Sequence, residues 1–138
     1  MDLIANGLNP FVPEKAAIRA ARIMLELIHE YVRKGESFSF ETTLSGKGYV
    51  RLIPEWQSVG YEVKLFFLRL PNPDFAIARI RQRVKEGGHY VPDEVVSRRF
   101  FRGLDNFKKL YKGLIDEWAI YDNSGKTPIL IKEGGKYE

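Results

Sequence analysis

The alternation of apolar and polar positions divides the chain into short elements of two periods. "PEKAAIRAARIMLELIHEYVRKG" (13–35) repeats apolar residues at spacings of three and four through Ala17, Ala20, Met24, Leu27 and Tyr31. That spacing predicts an amphipathic helix, started by Pro13 and stopped by Gly35. Arg33 and Lys34 fall in its last turn, where cations suit the dipole. "SFSFE" (37–41) alternates with period two and predicts a short strand. "YVRLIPEWQSVG" predicts a helix that Pro54 begins or kinks. "YEVKLFFLRL" predicts a strand buried on both faces.

"NPDFAIARIRQRVKEGG" predicts a helix with Asn72 as N-cap, Pro73 at the first position and glycines at the end. "VPDEVVSRRFFRGLDNFKKLYKGLID" predicts one long helix with an apolar seam of Val96, Phe100, Leu104, Phe107, Tyr111 and Leu114. "EWAIYDN" and "TPILIKEG" predict two strands paired through the turn from Asn123 to Pro128. Strands separated by helices imply an α/β domain with a mostly parallel sheet, flanking helices and a hairpin at one edge. There is no repeat or linker, so the 138 residues read as one domain.

Hydrophobic residues at 44% and aromatics at 13% supply a core and exclude a disordered chain. The absence of cysteine excludes disulfides and cysteine-based zinc sites and fits a reducing, cytoplasmic setting. Two histidines, His29 and His89, are too few for a His-rich metal site, so none is expected. No apolar run approaches the ~20 residues of a membrane span, and the first residues lack the features of a secretory signal. The net charge is +4, yet the stretch from Arg79 to Lys112 holds ten Lys/Arg against four Asp/Glu, which is 10 − 4 = +6. Such a cluster suits phosphates, nucleic acid or an acidic partner. Charge alone favours a solvated helix face.

Two stretches carry candidate chemistry. In "FSFETTLSGKG", Glu41 stands where a strand runs into a loop of small residues, the position where open α/β sheets bind ligands. Thr42, Thr43 and Ser45 add hydroxyls without bulk. The plainer alternative is a helix cap and a closed turn. In "RIRQRVKEGGHYVP", Arg79 and Arg83 share a helix face while Arg81 points elsewhere. Gly87-Gly88 reads either as the hinge of an arginine-bearing lid over phosphates or as a helix stop. Arg98, Arg99 and Arg102 open the next helix. "YDNSGKTP" imitates a phosphate loop but lacks its first glycine and leads into a β-rich run instead of a helix.

"DLIANGLNPF", "GESFSFETTLSG", "LFFLRLPNPDFAIARIRQRVKEGGHYVP", "RRF" and "YDNSG" occur in an order and spacing that resembles the zeta-toxin-like family of P-loop kinases. The resemblance runs over essentially the whole chain, with "R-V-x-x-G-G-H-x-V-P" as its most specific motif. It implies a five-stranded parallel sheet related to adenylate kinase, with a helical lid over about residues 79–103. It also implies transfer of phosphate from ATP, with Mg2+, to a hydroxyl of a small substrate; zeta toxins use a UDP-linked amino sugar. By the same resemblance Asp2 is the general base, Glu41 contacts the substrate or metal shell, and Thr42, Thr43 and Ser45 line the substrate pocket. Arg83 is a catalytic lid arginine, Arg79, His89 and Arg98 belong to the phosphate-binding lid, and Asn123 lies near the adenine.

The family pattern begins with a strand and a Gly-x-x-Gly-x-Gly-Lys-Thr loop, whereas this sequence starts at the matching aspartate. The resemblance therefore implies a truncated kinase domain, inactive alone, with two apolar strands missing their common neighbour. A homo-oligomer or a partner chain bearing the phosphate loop would complete it. The residues also leave open a non-catalytic basic module for nucleic acid or an acidic protein. The lack of stacking aromatics among the basic residues counts against RNA.

Overall fold

The computed structural model describes residues 13–88 and 90–135. Its elements are α1 (Pro13–Lys34), α2 (Gly48–Ser58), β1 (Lys64–Arg69), α3 (Pro73–Lys85), α4 (Asp93–Asn106), β2 (Glu117–Asp122) and β3 (Ile129–Gly135). They fall into two compact units. One comprises the chain up to Glu41 together with Ile80–Val91; the other comprises Thr42–Arg79 and the chain from Pro92 onward.

The helix boundaries follow local chemistry. Asn72 Oδ1 accepts the Phe75 amide at 3.3 Å, which caps α3 as its sequence predicts. Pro54 lies inside α2 without ending it. Three helices stop by the same device, in which a glycine with positive φ sits just past the last turn. At Gly35 (φ 70°), Gly60 (φ 102°) and Gly87 (φ 99°) the next amide bonds back five residues along the chain. These bonds are Glu36 N to Tyr31 O at 3.0 Å, Tyr61 N to Trp56 O at 3.1 Å and Gly88 N to Arg83 O at 2.7 Å. The glycine amides bond to Val32, Gln57 and Val84, completing Schellman caps in a conformation that a side chain would disfavour. Gly87-Gly88 is thus a helix stop.

The sheet has order β1-β2-β3 among the described residues, with β1–β2 parallel and β2–β3 antiparallel. The mixed α/β class and the terminal hairpin match the sequence pattern. The mostly parallel sheet does not, since only one of the two pairings is parallel. "SFSFE" forms no strand. A strand needs a ladder partner, and none of the described strands pairs with this stretch. Phe38 instead stacks between Tyr31 and Phe40, with centroids 5.9 and 6.3 Å away.

β1 is also not buried on both faces. Leu65 and Phe67 point to one side, where Phe67 stacks on Phe107 at 4.8 Å. Phe66 and Leu68 point to the other and are 65% and 53% exposed. The core of the second unit gathers Ile53, Trp56, Val96, Phe107, Tyr111, Ile115 and Trp118. The predicted long helix ends early. After α4 the chain continues through a π turn, Phe107–Tyr111, in which Lys112 N bonds Phe107 O at 2.9 Å (i to i+5), before turning into β2. In α1 the seam position Ala20 is buried as predicted, but Ile28 is buried in place of Leu27 and Tyr31, which are exposed, so the buried face turns away from the predicted seam toward the end of the helix.

Candidate functional site

The segment Thr42–Gly46 has no regular structure, yet its shape is fixed from within. Thr42 Oγ1 accepts the Leu44 amide at 3.2 Å and Thr43 Oγ1 accepts the Ser45 amide at 3.4 Å. The Thr43 and Ser45 hydroxyls lie 2.8 Å apart. Small hydroxyl residues favour such local turns because the side chain replaces a backbone acceptor. Leu44 takes φ +57°, a left-handed conformation that a leucine adopts only when held there. Its side chain is buried, which anchors the turn, while Thr42 and Thr43 are exposed. The result is a hydroxyl-bearing loop on an apolar peg.

Helix α4 and the π turn hold this loop from below. Asn106 Nδ2 donates to Leu44 O at 2.8 Å, and Tyr111 Oη donates to Gly46 O at 2.8 Å. Asn106 is the buried polar residue among the described ones, and Tyr111 is fully buried. At Gly103 the helix backbone lies against the Thr43 carbonyl, so close that a Cβ would come nearer than 3.0 Å to its oxygen. Burial pushes the Tyr111 hydroxyl pKa above the ordinary tyrosine value. Burial does the same to Tyr49, against the opposing hydrogen bond with Thr42.

A second polar group forms at the carboxyl ends of the parallel pair β1–β2. Arg69 and Asp122 are register partners. Asn123 N donates to Arg69 O at 2.8 Å, and Ser124 N donates to Asp122 Oδ1 at 2.9 Å. The Ser124 hydrogen bonds, with help from the Arg69 charge, hold the Asp122 carboxyl below the usual range. The Arg79 guanidinium donates to the Asn123 carbonyl. An arginine expected over phosphates is therefore engaged with the loop expected near a base.

The structure thus brings Thr42, Thr43 and Ser45 into one loop, and Arg79 onto Asn123. Glu41 and Arg83 belong to the other unit and are both exposed, and Arg83 lends its carbonyl to the α3 cap. Arg98 is exposed on α4. Asp2 and His89 lie outside the described residues. Gly103 and Asn106 have no role in the sequence pattern, and Tyr111 enters it only as an apolar seam position. The signal was present as a glycine inside a helix and an asparagine between apolar seam positions. No group of three His, Cys, Asp or Glu side chains is placed for a metal among the described residues. No helix there is long and apolar enough to cross a membrane. A groove of about 460 Å³ lies on the exposed sheet face by Phe66, Tyr121 and Glu133, and none of the predicted site residues lines it.

A family model described as "Zeta toxin" matches residues 13–134. A protein of Haemophilus influenzae described as uncharacterised is 32% identical over 99 residues, spanning 72% of this chain and 71% of its own. No solved structure matches the chain.

Proposed function

The chain belongs to the zeta-toxin family, and from that premise we propose that it forms the acceptor-binding and lid portion of a kinase-like phosphotransferase whose substrate is a small hydroxyl compound of the sugar-nucleotide class. The observation that carries this reading is the rigid Thr42–Gly46 loop, with two hydroxyls 2.8 Å apart presented on a left-handed turn. Paired, pre-oriented hydroxyls donate to and accept from a sugar's own hydroxyls without further ordering on binding.

The roles proposed for the other residues follow the family. Glu41 would accept a hydrogen bond from the acceptor. Asp2 would take the proton of the reacting hydroxyl. Arg83 and Arg98 would balance phosphate charge.

The family is nucleotide-binding, with ATP and Mg2+ expected, but the residues described do not fit a triphosphate cradle. Gly125-Lys126-Thr127 lies between β2 and β3 and leads into a strand, so no helix N-terminus follows it. This chain's residues build the acceptor side.

The test is a titration of the isotope-labelled chain with UDP-N-acetylglucosamine, followed by amide chemical shifts. Saturable shifts at Thr42–Gly46, weakened by Glu41→Gln, are expected. Shifts confined to other segments, or none at all, would refute the reading.

A further inference from the structure

The three contacts that fix the hydroxyl loop come from a single helical segment, and their spacing depends on the π turn. An α-helix advances about 100° per residue. Residues 103, 106 and 110 of a regular helix would therefore share a face, and residue 111 would point away by a further turn of about 100°. The i to i+5 bond from Lys112 N to Phe107 O inserts one extra residue after Asn106. Tyr111 then takes the place that residue 110 would hold, in line with Gly103 and Asn106. Its hydroxyl reaches Gly46 O while Asn106 reaches Leu44 O, both at 2.8 Å. Single π turns of this kind recur at functional sites because they re-aim one side chain.

Building on the acceptor-loop reading above, we propose that Asn106 and Tyr111 are positioning residues for the acceptor. The π turn at Phe107–Tyr111 sets them in register to hold the Thr42–Gly46 loop in its binding shape. The same helix carries Arg98, Arg99 and Arg102 in its preceding turns. A clamp of two hydrogen bonds and one close backbone approach therefore makes the arginine-bearing helix and the hydroxyl loop one element. Nothing in the clamp touches the acceptor itself. Tyr111 is fully buried; its hydroxyl meets the Gly46 carbonyl and the Tyr49 backbone, and Asn106 meets the Leu44 carbonyl. The geometry separates holding the loop from binding through it.

The experiment uses Tyr111→Phe, which keeps the buried ring, and Asn106→Ala, with Lys108→Ala on the exposed side of the π turn as control. Amide hydrogen exchange is read in the absence of ligand, and UDP-N-acetylglucosamine affinity is read by shift titration. In each clamp variant, exchange at Leu44 and Ser45 should rise about fivefold to tenfold, the size expected for one lost hydrogen bond. The β1–β2 ladder should stay protected and affinity for the probe should fall by a similar factor. Lys108→Ala should change neither. Unchanged exchange in Tyr111→Phe overturns the clamp, even if Asn106→Ala fails to fold. Faster exchange with unchanged affinity overturns the positioning role. No binding by the unaltered chain refutes the substrate reading, and the positioning role with it. The ligand-free exchange would still report whether the clamp holds the loop, so the two failures can be told apart.

Discussion

Replacing Gly103 with alanine sets two physical effects against each other, and the structure decides the sign. In the interior of α4, alanine is favoured over glycine by about 1 kcal/mol, because glycine loses more backbone freedom on folding. Against that, the added Cβ would lie closer than 3.0 Å to the Thr43 carbonyl oxygen, a backbone atom that cannot swing aside. Overpacking of this kind typically costs about 1–3 kcal/mol. Retreat of the loop would also strip the buried Asn106 amide of Leu44 O, adding about 1–3 kcal/mol for an unsatisfied donor. The two penalties overlap, since relieving the first incurs the second. With either penalty set against the propensity gain, Gly103→Ala is expected to lower stability by up to about 2 kcal/mol. Urea denaturation followed by tryptophan fluorescence suits the question, because Trp56 and Trp118 are both buried in this unit. Gly113→Ala, where a Cβ meets nothing within 4 Å, serves as the control. A Gly103→Ala protein as stable as the parent, or more stable, would show that the loop is not pressed against the helix.

Phe107→Ala should remove about 3–5 kcal/mol, because its ring is 1% exposed and packs on Phe67 and Trp118; a loss under about 1 kcal/mol in the same denaturation experiment would contradict that packing. Tyr49 and Tyr111 both have raised pKa values in the folded chain, so the folded state holds those protons more tightly. The stability they contribute is present below the ordinary tyrosine value of about 10 and is lost as pH rises through the folded values. Denaturation midpoints measured from pH 8 to 11 should fall at the alkaline end, and less steeply in Tyr111→Phe.

The helices were legible because their signals are local. Asn72 caps, the glycines at 35, 60 and 87 stop, and the seam residues Val96 and Phe107 are buried as their spacing implies. "SFSFE" alternates like a strand yet forms none, because period-two alternation reports a side-chain pattern, whereas a strand exists only through a partner elsewhere in the chain. The π turn was invisible for a related reason. "FKKLY" has ordinary helical composition, and the extra residue is accommodated through what Tyr111 gains from Gly46. The hydroxyls of the loop could be named from sequence, but the residues that hold it could not. Asn106 and Gly103 look like blemishes in a helix until the loop that they face is placed.

The three glycine-terminated helix ends have a consequence for the order of assembly. Each stop is closed by bonds spanning six residues, with no contribution from the sheet. Where these helices stop is therefore decided locally, on the sub-microsecond to microsecond scale on which helices form and melt. Helices of 11 and 13 residues are marginal until they pack, so the late pairing of β1 with β2 holds in place segments whose ends their own chain has already specified.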